Sequence, residues 1–134
     1  MRKAGRILVV SDHPATAAAL SGRGFEVTAV PAADDGYALL MTASFDLLVI
    51  DLEDPIETAG LIKWMRARGD LKRVLILIIA EWGTGGATMA LAQGADAFEA
   101  APIDSHRLLA AAERLLPRTV MTAKAGGSNG SAQD

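Results

Sequence analysis

The sequence predicts an α/β domain: a doubly wound, five-stranded parallel sheet with helices on both faces. Three observations carry this. Five short β-type apolar runs alternate strictly with stretches of helical period. Three of those runs, RILVVS, DLLVI and VLILIIA, are apolar almost throughout, as central strands covered on both sides must be. The 134 residues suffice for one domain, burying roughly 68% of its unfolded surface.

In chain order, the first strand is expected over 6–11 (RILVVS), and a helix follows over 14–22, opened by Pro14 and closed by Gly22 and Gly24. The second strand is expected over 25–30 (FEVTAV), with a helix over 34–43. The third strand, 46–50, runs into the acids of DLEDP, and its helix is placed near 58–68, with Pro55 suiting a helix start, Leu61, Trp64, Met65 and Arg68 on one face and Gly69 at its end. The fourth strand is 74–80, followed by a helix over 86–93 that Gly94 ends. The fifth strand is 96–100, and the last helix, 104–116, carries an apolar stripe of Leu108, Leu109, Ala112, Leu115 and Leu116. The domain spans 1–117; the Gly/Ser/Ala-rich residues 118–134 read as a disordered tail or linker.

Composition removes several function classes. No apolar block reaches the ~18 residues of a membrane span, and the start of the chain lacks a secretory pattern, so a cytoplasmic chain without a membrane role is expected. With no cysteine there are no disulfides, no thiolate chemistry and no Cys-ligated zinc. A net charge of −3 gives no general reason to bind DNA.

The chemistry-bearing residues sit at strand ends, where ligands bind in such sheets. Ser11 and Asp12 end the first strand and Asp51 the third. In a flavodoxin-like strand order, 2-1-3-4-5, these strands are neighbours, and the carboxylates of Asp12 and Asp51 would converge on a pocket able to hold a hard divalent cation. Asp51 would then be a nucleophile toward a phosphoryl group; the competing reading makes it the cap of the following loop. Asp12 is equally explained by a Pro-led helix whose dipole favours an acid. Glu53 and Asp54 read as solvated loop acids, and His13 and His106 as surface residues. EWGTGG (81–86) is not a phosphate loop, since no Lys-Ser/Thr pair follows. Trp82 within it is either an exposed contact residue or packed on the next helix, and Trp64 is expected in the core.

ILVVSD, FDLLVIDLEDP, LILIIA, GADAF and Pro102 together resemble the CheY-like receiver domain of two-component response regulators, over roughly residues 5 to 117. The resemblance implies a signalling module and not an enzyme. It places Asp51 at the phosphoacceptor position and implies a metal set of Asp12, Asp51 and the backbone carbonyl of Glu53, holding Mg²⁺ weakly. It also implies a cis Ala101-Pro102 bond. Implied partners are a histidine kinase, another receiver, an effector protein or a second copy. The docking face would include Trp82, Met89, Gln93, Phe98, Arg107 and Ala111. Three positions depart from the family: Ser11 replaces an acid, Ile79 (or Ala80, one residue on) a hydroxyl, and Ala101 a lysine. Without them a phosphorylated Asp51 makes little differential contact with an active state. The chain is therefore expected to be a degenerate receiver, or pseudo-receiver, acting through protein contacts with phosphorylation lost or uncoupled. A working Mg²⁺-dependent phosphoacceptor is one alternative. Another is a domain that binds a cyclic dinucleotide through Arg66, Arg68, Lys72 and Arg73, as some receiver-like domains do.

Overall fold

The computed structural model describes residues 5–21 and 23–116. Among these, strands and helices alternate as β1 (Arg6–Ser11), α1 (Pro14–Ser21), β2 (Glu26–Val30), α2 (Ala33–Thr42), β3 (Leu47–Asp51), α3 (Pro55–Ala67), a 3₁₀ turn (Gly69–Leu71), β4 (Leu75–Ala80), α4 (Gly86–Gln93), β5 (Ala97–Ala100) and α5 (Ser105–Leu115). The strands are parallel, in the order β2-β1-β3-β4-β5. Gly22 and the 118–134 tail lie outside the described residues. None of the described helices is long and apolar enough to cross a membrane.

The period-2 alternation of the three apolar strands divides the core in two. Leu8, Val10, Leu48, Ile50, Ile76 and Ile78 pack with Leu40, Leu61, Ile62, Met65 and Ala90 of α2, α3 and α4. Ile7, Val9, Leu47, Val49, Leu77 and Ile79 pack on the other face with Leu20, Leu108, Ala111, Ala112 and Leu116 from the α1 and α5 side. Such side chains each contribute about 1.5–3 kcal/mol when fully buried, so the sheet interior dominates stability.

The helix over 58–68 begins earlier, at Pro55. Asp54 is exposed as a solvated acid would be, but its Oδ1 also accepts from Ile56 N at 2.8 Å and caps α3, with Pro55 in the first turn. Trp64 is half-buried instead of core, edge-on to Tyr37 at 4.9 Å and beneath the Arg68 guanidinium at 5.1 Å. Ala111 is fully buried, which removes it from the expected docking face. It lies three residues from Leu108 and four from Leu115, so helical geometry turns it toward the sheet with them.

Candidate functional site

The β1–β3 register places Ser11 beside Asp51 at the carboxyl edge of the sheet. Asp51 is half-buried, and its Oδ2 accepts two hydroxyl hydrogen bonds, from Ser11 Oγ at 3.0 Å and Thr16 Oγ1 at 2.8 Å. Both donors are buried. Ser11 Oγ in turn accepts from His13 N at 2.9 Å. Because α1 starts at Pro14, Thr16 falls in its first turn, within reach of the end of β3. Sequence reasoning missed Thr16. Its one signal was a hydroxyl in the first turn of the alanine-rich PATAAALS.

Asp51 opens into a cleft of about 500 Å³, shared with His13, Leu52, Glu53, Pro55, Ile79, Ala80, Glu81, Trp82 and Ala101. Ile79 packs in the core on the sheet face shared with Leu47 and Val49, the face to which alternation assigns Asp51, whereas Ala80 packs in the opposite core. The side chain on Asp51's own face at the end of β4 is thus an isoleucine. Ala101 belongs to that face too, and its N–H donates to Ala80 O at 3.0 Å. The Ala101-Pro102 bond is cis.

Asp12 is exposed and lines a separate depression with Ser11, Pro14, Ala29, Val30 and Pro31, its Oδ1 lying 3.4 Å from His13 Nε2. Glu53 is exposed at the rim of the Asp51 cleft. Among the described residues, no three His, Asp or Glu side chains come together to hold a metal ion. The donor set facing the cleft therefore does not fit a tight divalent site: Asp51's Oδ2 is committed to hydroxyls, and a hydroxyl stands where a second carboxylate would be needed.

Beyond the cleft, Trp82 is half-buried, its ring 5.8 Å from that of Phe98. A Cβ at Gly86 would lie 2.9 Å from Trp82 Cβ and 3.0 Å from Phe98 Cζ, so this pairing needs the glycine. Of the expected docking residues, Met89 and Arg107 are exposed, and Gln93 and Phe98 half-buried. Arg107 pairs with Glu99 at 2.6 Å. Leu91, 53% exposed, was not anticipated. The basic cluster is largely engaged. Arg66 donates to Gly94 O (2.9 Å), Val74 O (3.0 Å) and Asp96 Oδ2 (2.9 Å), tying α3 to the starts of β4 and β5. Arg68 makes a two-pronged contact with Asp70, whose carboxyl that hydrogen bonding holds below its ordinary pKa. Lys72 and Arg73 are exposed, and neither makes such a side-chain bond among the described residues.

No protein-family model and no curated protein matches the sequence. Solved structures do. The chain is similar to the chemotaxis response regulator CheY4 of Vibrio cholerae, with 22% identity and a TM-score of 0.76 over 84% of this chain and 99% of that one. It is similar to a response regulator from Chloroflexus aurantiacus, with 23% identity and a TM-score of 0.75 over 84% and 98%. A third likeness, with 22% identity and a TM-score of 0.72 over 84% and 97%, is the receiver domain of a Pseudomonas aeruginosa sensor histidine kinase, solved with magnesium in its active-site cleft. At these identities the likeness is one of fold.

Proposed function

On a chain with the fold of CheY-like response-regulator receiver domains, we propose an atypical receiver that works through protein–protein contact, with phosphorylation at Asp51 uncoupled from the rest of the fold. The observation that carries this is the composition of the cleft. Asp51's Oδ2 is held by Ser11 and Thr16, and the far wall presents Ile79 and Ala101, neither of which can bond a phosphoryl oxygen with its side chain. A phosphoryl group there gains no contact that differs between two states, and equal affinity for both shifts neither. The exposed side chains of Met89, Leu91 and Arg107 supply the docking surface. Its partners are a histidine kinase, another receiver, an effector or a second copy.

Amide NMR titration with Mg²⁺, then with beryllofluoride as an aspartyl-phosphate mimic, tests this. Shifts confined to residues around Asp51, or none, are expected. Shifts spreading through 81–98 would overturn the proposal in favour of a working phosphoacceptor. One observation favours that second reading: Asp51 faces an open cleft, and no hydrogen bond to its Oδ1 is found among the described residues.

A further inference from the structure

We propose that the Asp51 cleft receives an arginine or lysine side chain from a partner protein. This rests on the reading of the chain as a protein-contact module and names the chemistry of the contact. The lining includes the carboxylates of Asp51, Glu53 and Glu81 and no lysine or arginine, so its field is negative and opposes a phosphoryl anion. Leu52, Pro55, Ile79, Ala80 and Ala101 give an apolar floor that suits a hydrocarbon stem. Trp82 lines one wall, where a guanidinium or ammonium group is attracted to the ring. Asp51, the least exposed of the three acids, is the deepest charge; Glu53 and Glu81 are exposed. A free metabolite would fill the cleft and leave its surroundings open. Ile56, next to Pro55 in the chain, is 80% exposed, an apolar contact that a protein partner would cover.

The test is an amide and indole NMR titration of the full chain with blocked leucyl-arginyl-alanine. Its citrulline counterpart serves as the uncharged control, and N-acetylarginine amide as the free small cation. Saturable shifts of the Trp82 indole and of residues 51–53 and 79–82 are expected with the arginine peptide. The citrulline peptide should bind about fivefold more weakly or less well still. Glu81→Gln should weaken the arginine peptide about two- to fivefold and leave the citrulline peptide unchanged. Equal response to both peptides, or no response, would overturn the cation site. Equal affinity for N-acetylarginine amide and the arginine peptide would overturn the assignment to a protein partner. These failures are separable from failure of the uncoupled-receiver reading, which beryllofluoride shifts through 81–98 would report whatever the arginine peptide does.

Discussion

Thr16 gives Asp51 the shorter of its two hydroxyl bonds, 2.8 Å against 3.0 Å from Ser11. Thr16→Val keeps the shape of the side chain and removes the donor. Hydrogen bonds to charged acceptors contribute about 1.5–3 kcal/mol, and Asp51 is partly solvated. The variant should therefore lose about 1–2 kcal/mol in urea unfolding, and an unchanged midpoint would mean that water replaces the hydroxyl freely. Tyr37 offers a second check, since it is the chain's single tyrosine and its absorbance can be followed alone. Burial, then the nearby Asp34 and Glu57 carboxylates, raises its pKa above the ordinary 10.0. The folded state thus holds the phenolic proton more tightly. Its contribution to stability is complete below pH 10.0 and is lost as pH rises through the folded value. A tyrosinate midpoint at or below that of the urea-unfolded chain would contradict the packing seen. Asp51 and Ser11 were legible because strand ends announce themselves by a run of apolar residues stopping. Thr16 was not, because its reach depends on how α1 leaves the strand, which no local pattern encodes.

At the scale of the element, Gly36 sets two known effects against each other. It lies inside α2, where alanine is favoured over glycine by roughly 1 kcal/mol. A Cβ there, however, would stand 2.9 Å from Cγ2 of Val10, which is fully buried and has nowhere to move. Overpacking of this kind costs about 1–3 kcal/mol, so Gly36→Ala should destabilise by about 1 kcal/mol, and a rise in melting temperature would reverse that judgement. The elements themselves could be read from periodicity, with strand ends displaced by about one residue. The start of α3 was read three residues late because Asp54 was grouped with the loop acids, whereas a capping acid differs from a solvated one only by its hydrogen bond to Ile56 N. Ala111 was misplaced for a different reason: alanine fits both a docking face and a close helix–sheet contact, and only the packing of α5 decides.

For the whole molecule, strand order and the two-faced core followed from strict alternation and apolar runs, because both faces of a parallel sheet must be covered. Asp12 lines a depression apart from the Asp51 cleft, and whether the two carboxylates share a cation is decided by side-chain directions that fold-level likeness does not fix. Thermal melting tests the consequence. A divalent site with a dissociation constant of about 1 mM would stabilise the fold by about 1.4 kcal/mol at about 10 mM Mg²⁺, raising Tm by about 4 °C or more. A change below about 1 °C is expected, and a full rise would show that the cleft assembles a cation cage after all.

The sheet order β2-β1-β3-β4-β5 also bears on how the protein is made. After β3, each strand joins the edge left by its predecessor, so the sheet can grow in the order of translation. At about 5–20 residues per second, everything needed for the Ser11–Thr16–Asp51 bonds leaves the ribosome a few seconds before Ala101. The residues of the polar half of the cleft thus emerge ahead of Ile79, Trp82 and Ala101, which bring the apolar wall to it last.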